Sequence, residues 1–123
     1  MPYTILVAED DAEYGTFLND LLESAGYTCT LFKDGISAYH ALATGKYDAA
    51  VLDLALPNFS GIEVMRLVKE HGKKIPVLAL TGHDAPEIQE LVKEAGGAFL
   101  SKKAEPQAIL KKLELLVERR RNE

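Results

Sequence analysis

Short apolar runs alternate with amphipathic stretches five times along the chain. The runs YTILVA, TCTLF, AAVLDL, IPVLAL and AFLS have the length of strands and are mostly continuous, as in a sheet covered on both faces. Between them, apolar residues recur at helical spacing. The predicted helical stripes are Phe17, Leu18, Leu21 and Leu22; Ile36, Tyr39, His40 and Ala43; Ile62, Val64, Met65 and Val68; Ile88, Leu91, Val92 and Ala95; and Ile109, Leu110, Leu113, Leu116 and Val117. Turn signals fall between the elements, at Gly26, Asp34-Gly35, Gly45, Pro57-Asn58, Gly61, Gly72 and Gly96-Gly97. Five βα units in series predict an α/β fold, a parallel sheet between helices joined by right-handed crossovers. No linker, repeat or low-complexity tract interrupts them, so one domain over residues 1–123 is expected.

Composition narrows the function more than the fold. A net charge of −5 speaks against a nucleic-acid-coating surface, which needs clustered Lys and Arg against phosphate. The one charge run, ERRRNE at the end, reads as cations placed at a helix C-terminus. Cys29 is the single cysteine, so there is no intrachain disulfide, and its place in YTCTLF reads as a small buried core thiol. No apolar run approaches the roughly 18 residues of a membrane span. The start MPYTILVAEDD has neither a basic leader nor a small-residue cleavage site, and a cytoplasmic protein is expected.

Three consecutive acids, Glu9, Asp10 and Asp11, close the first strand run, although adjacent carboxylates raise one another's pKa. A fourth, Asp53, stands at the end of the third run with no other charge in it. In open α/β sheets, ligands bind outside the C-terminal strand ends, where the strand order reverses. If strands one and three are neighbours, their ends lie roughly 5 Å apart. A divalent cation would then offset the converging carboxylates, and an oxygen-only donor set suits Mg²⁺. His40, His71 and His83 lie in separate segments and offer no competing metal site. Asp11 is assigned to the cap of the following helix, leaving Glu9 and Asp10 for the ion.

These pieces, read together, resemble the receiver domain of bacterial two-component response regulators, of which the chemotaxis regulator is the best-known single-domain form. The resemblance rests on ILVAEDD, VLDLALPNFSG, PVLALTG and FLSKK, four motifs in order on five βα units. It implies a flavodoxin-like doubly wound (βα)5 fold with strand order 2-1-3-4-5. It implies that Asp53 takes a phosphoryl group from a histidine kinase or a phosphotransfer protein. Mg²⁺ would be held by Asp10, Asp53 and the backbone carbonyl of Ala55, with Glu9 acting through water. Lys102 would supply a second cation, and Thr81 a hydroxyl for the phosphoryl group. Phe99 matches the aromatic that swings inward when the threonine moves, and the responding surface would be PEIQELVKEAG, AFLS and EPQAILKKLELL. Ala55 and His83 would flank the phosphoryl group. Such a domain is a phosphoacceptor switch that promotes its own phosphorylation and dephosphorylation, rather than an enzyme with a separate substrate. Its downstream partner is a protein that the sequence does not name, and the domain itself is expected to bind neither nucleic acid nor membrane.

Two departures from the pattern stand out. The lysine is followed by Lys103 where the family usually has proline, so a trans bond and a differently shaped loop are expected. The turn EAGGAFLS is about one residue short, which leaves dimerisation through that face without support. Two other functions compete with the switch. A pseudo-receiver would use the same fold as a pure interaction module. A metal-dependent hydrolase of the haloacid-dehalogenase type would need a second Asp where this chain has Ala55.

Overall fold

The computed structural model describes residues 3–71, 74–82 and 86–121. Five strands, β1 (Thr4–Ala8), β2 (Thr28–Phe32), β3 (Ala49–Asp53), β4 (Val77–Thr81) and β5 (Ala98–Ser101), alternate with five helices. The helices are α1 (Ala12–Ser24), α2 (Gly35–Ala43), α3 (Gly61–Glu70), α4 (Pro86–Glu94) and α5 (Pro106–Arg121). All strand pairs are parallel and the order is β2-β1-β3-β4-β5, the doubly wound arrangement expected. The order reverses between β1 and β3, and it is outside the C-terminal strand ends at such a reversal that open α/β sheets bind ligands.

Alternation along the strands splits the core in two. Leu6, Ala8, Ala50, Leu52, Val77 and Ala79 face one way and pack with Val64, Met65 and Val68 of α3 and Val92 of α4. Ile5, Val7, Val51, Leu78 and Leu80 face the other way and pack with Leu18 and Leu22 of α1 and Ile109, Leu113 and Val117 of α5. Every residue of β3 and β4 is buried, which explains their uninterrupted apolar sequence. Burial of each Leu or Ile at these positions contributes about 1.5–3 kcal/mol.

Three expectations need correction. The buried face of α2 is Gly35, Ala38 and Leu42, whereas Ile36 is exposed and His40 faces solvent. The stripe read from sequence is thus rotated by about one residue, because Gly and Ala on the true inner face add little hydrophobic signal. Edge strand β2 is open on one side, with Thr28 and Thr30 exposed. Cys29 there is only half-buried, although burial still pushes its thiol up to about 11. Gly72 and His83, noted as a turn signal and a flanking residue, lie outside the described residues.

Candidate functional site

The end of β1 continues its ladder by one more bond, from the Glu9 N–H to the Phe32 carbonyl at 2.9 Å. This carries the Glu9 side chain into the interior, where it is 1% exposed. The next acid, Asp10, turns out to solvent, and Asp11 caps α1 by accepting from the N–H groups of Glu13 and Tyr14 at 3.0 and 3.4 Å. The cap assigned from the sequence is therefore the one observed.

Asp53 closes β3 and is 6% exposed. The loop that follows is fixed on several sides. Leu56 is buried in the core, and the Pro57 carbonyl accepts from the Gly35 N–H at 3.2 Å. Asn58 takes the left-handed conformation (φ 68°), which its short polar side chain tolerates. Ser60 and Glu63 form a reciprocal capping box at the start of α3. A Cβ on Gly61 would stand 2.6 Å from the Asp53 carbonyl oxygen, so only glycine lets α3 begin this close to the strand end. Ala55 donates its N–H to Asp53 Oδ1 at 3.2 Å, and its own side chain is exposed.

Lys102 enters from the end of β5. Its N–H donates to the Thr81 carbonyl at 2.9 Å, which ties the β5–α5 loop to the end of β4. Its ammonium donates to Glu9 Oε1 at 2.5 Å and to Asp53 Oδ2 at 3.1 Å. Lys103 is exposed and uses its N–H on Ser101 Oγ, so Lys102 is the lysine that points inward. The described peptide bonds are all trans, including Lys102-Lys103 as expected.

Carboxylate oxygens of Glu9, Asp10 and Asp53 lie within 4.8 Å of one another. Among the described residues, the Lys102 ammonium pairs with Asp53 and with Glu9, and burial leaves its mark on Glu9. Burial, together with the neighbouring Asp53, pushes its carboxyl up to about 7 even though Lys102 opposes the rise. Burial alone would lower the pKa of Lys102, but the bonds to Glu9 and Asp53 outweigh it and the net direction is upward.

The structure thus brings Glu9, Asp10, Asp53 and Lys102 together. Thr81 ends β4 beside this cluster and is 2% exposed. Phe99 on β5 pairs with Ala79 and is half-buried against the core on the α3–α4 side. Sequence reasoning missed Tyr14, whose ring lies 4.6 Å from the Lys102 ammonium. The signal was present: Tyr14, Leu18 and Leu22 recur every fourth residue, so the buried stripe of α1 runs up into the site.

A parallel sheet in this order, with acids and a lysine gathered at its switch point, defines the class that comparison with known proteins bears out. The family model of the response regulator receiver domain matches residues 5–114. The response regulator MprA of Mycobacterium sp. (strain KMS) is 32% identical over 120 residues, which cover 97% of this chain and 52% of that protein. The receiver domain of Francisella response regulator 1452 matches with a TM-score of 0.90 at 25% identity, over 95% of this chain and 98% of that one. The receiver domain of sensor histidine kinase PA1611 from Pseudomonas aeruginosa PAO1, with a magnesium ion coordinated in its active-site cleft, matches with a TM-score of 0.86 at 29% identity, over 96% and 99% of the two chains. The chain belongs to the response regulator receiver domain family of two-component systems. It spans 34% and 52% of the length of two curated relatives it matches. No helix among the described residues is long and apolar enough to cross a membrane.

Proposed function

We propose that Asp53 is the phosphoacceptor, taking its phosphoryl group from the phosphohistidine of a histidine kinase or phosphotransfer protein. The observation that carries this reading is the Lys102 ammonium shared by Asp53 and Glu9, with Asp10 alongside, where the strand order reverses. An Asp53 carboxylate oxygen attacks phosphorus as the bond from phosphorus to the imidazole nitrogen breaks. The electron pair leaves on that nitrogen, and an acyl phosphate forms. Phosphoryl transfer of this kind depends mainly on positioning and on stabilising charge at the transferring oxygens. Lys102 is already within reach of the accepting carboxylate, and the Ala55 N–H holds its other oxygen in place.

The donor set fits a hard divalent cation. It contains only oxygen ligands, they converge within 4.8 Å, and the buried pair Glu9 and Asp53 has one ammonium to balance it. Asp10, Asp53 and the Ala55 carbonyl would hold Mg²⁺, with Glu9 acting through water. Bound there, the ion would neutralise the phosphoryl oxygens. Thr81 would give its hydroxyl to a phosphoryl oxygen. Its withdrawal from its present position would open space for Phe99, which packs on the same side of the sheet. The surface of α4, β5 and α5 would then differ between the two states and carry the downstream protein partner. A population shifts only when the two states make different contacts with the phosphoryl group.

Mg²⁺ binding is tested by linkage. Binding to the folded state should raise the melting temperature progressively with Mg²⁺ concentration. Asp10→Asn should flatten that dependence. An unchanged melting temperature up to tens of millimolar Mg²⁺ would contradict the metal site.

A further inference from the structure

The ammonium of Lys102 has a third neighbour besides its two carboxylates: the face of Tyr14, 4.6 Å from nitrogen to ring centroid. Tyr14 stands in the first turn of α1, where its N–H is held by the Asp11 cap and its ring leans on Phe17 with centroids 5.4 Å apart. The phenol hydroxyl is buried and makes no hydrogen bond among the described residues, so the contacts that seat this side chain are those of its ring. Lys102 needs such a neighbour. Its flexible stem reaches in from a loop, and 22% of its side chain is still exposed, so a route to water is open to the ammonium. A phosphoryl group arriving on Asp53 would require Lys102 to exchange its bond to that carboxylate for one to a phosphoryl oxygen. An aromatic face attracts the cation without binding its N–H groups as tightly as a carboxylate does, so it can retain the ammonium through the exchange.

We propose that Tyr14 is a positioning residue: the face of its ring holds the Lys102 ammonium inside the site, and the hydroxyl is not needed for this. The proposal rests on the reading of Asp53 and Lys102 given above. A leucine at position 14 would continue the buried stripe of Leu18 and Leu22 but would have no π face. Phenylalanine would keep the face and remove only the hydroxyl.

The test uses the full chain as wild type, Tyr14→Phe and Tyr14→Leu, with thermal melts to show that each is folded. In the unphosphorylated proteins, the ε-methylene protons of Lys102 should carry a ring-current displacement in wild type and Tyr14→Phe, and lose it in Tyr14→Leu. With acetyl phosphate and Mg²⁺, Tyr14→Leu should be phosphorylated on the order of tenfold more slowly, while Tyr14→Phe restores the rate to within about twofold of wild type. The loss should fall on the maximal rate rather than on the donor concentration giving half of it. Tyr14→Leu at the wild-type rate, or Tyr14→Phe as slow as Tyr14→Leu, would overturn the proposal. Should the wild type take no phosphoryl group, the reading of Asp53 is what fails. The ring-current comparison still decides the role of Tyr14, and equal Lys102 shifts in wild type and Tyr14→Leu would refute it.

Discussion

Glu9 shows how much one residue's position determines. It follows four buried apolar residues, and one more ladder bond pulls it into the interior, where burial drives its carboxyl up to about 7. The thiol of Cys29 on β2 is likewise shifted by burial, with a smaller push in the same direction from Glu23. Its thiol is raised from 9.0 to about 11, and it should react with iodoacetamide at pH 8 on the order of a hundredfold more slowly than in the unfolded chain. The raised folded-state value also fixes a sign for stability. The contribution of Cys29 is complete below pH 9 and is lost as pH rises toward 11, a slope that Cys29→Ala should remove from urea melts. Rapid alkylation at pH 8 would contradict the burial. Among the site residues, Asp53 was legible because a lone charge ending an apolar run is conspicuous. That Lys102 rather than Lys103 points inward came only from the family resemblance, since two adjacent lysines do not reveal that the Thr81 carbonyl accepts from the Lys102 N–H and Ser101 Oγ from that of Lys103.

At the scale of elements, strands were easier to read than helix faces. The runs TCTLF and AFLS match β2 and β5 residue for residue, β1 and β3 are each one residue shorter than their runs, and β4 omits Ile75 and Pro76 and adds Thr81. Helix α2 was misread for a physical reason: beside Leu42 its inner face is built from the small residues Gly35 and Ala38, and at Gly35 the chain passes close by. A Cβ on Gly35 would lie 1.7 Å from the Phe59 carbonyl oxygen, a contact between segments distant in sequence that no periodicity reveals. Gly61 is the matching contact at α3, and it bears directly on the site. Gly61→Ala should cost about 1–3 kcal/mol of stability in chemical denaturation, because backbone rather than a flexible side chain must give way. It should also displace Asp53 and slow its phosphorylation. Stability and labelling both at wild-type levels would show that the β3–α3 junction is looser than the structure has it.

For the whole molecule, the question is how an event at the strand ends reaches an outer face. Thr81 ends β4, and Phe99 lies on the neighbouring strand β5 against the core that α3 and α4 cover, and we propose that the response travels through these two side chains. Thr81→Ala should leave Asp53 able to accept a phosphoryl group while weakening the response of α4, β5 and α5. Backbone amide shifts with and without beryllofluoride, whose fluorines stand in for phosphoryl oxygens, would measure this. Undiminished shifts over that surface in Thr81→Ala would rule out the path. The central claim, that Asp53 is the phosphoacceptor, has a more direct test in intact-protein mass spectrometry after incubation with acetyl phosphate and Mg²⁺. The wild type should gain one phosphoryl group, and Asp53→Asn should gain none. Stoichiometric phosphorylation of Asp53→Asn, or none of the folded wild type, would contradict the account.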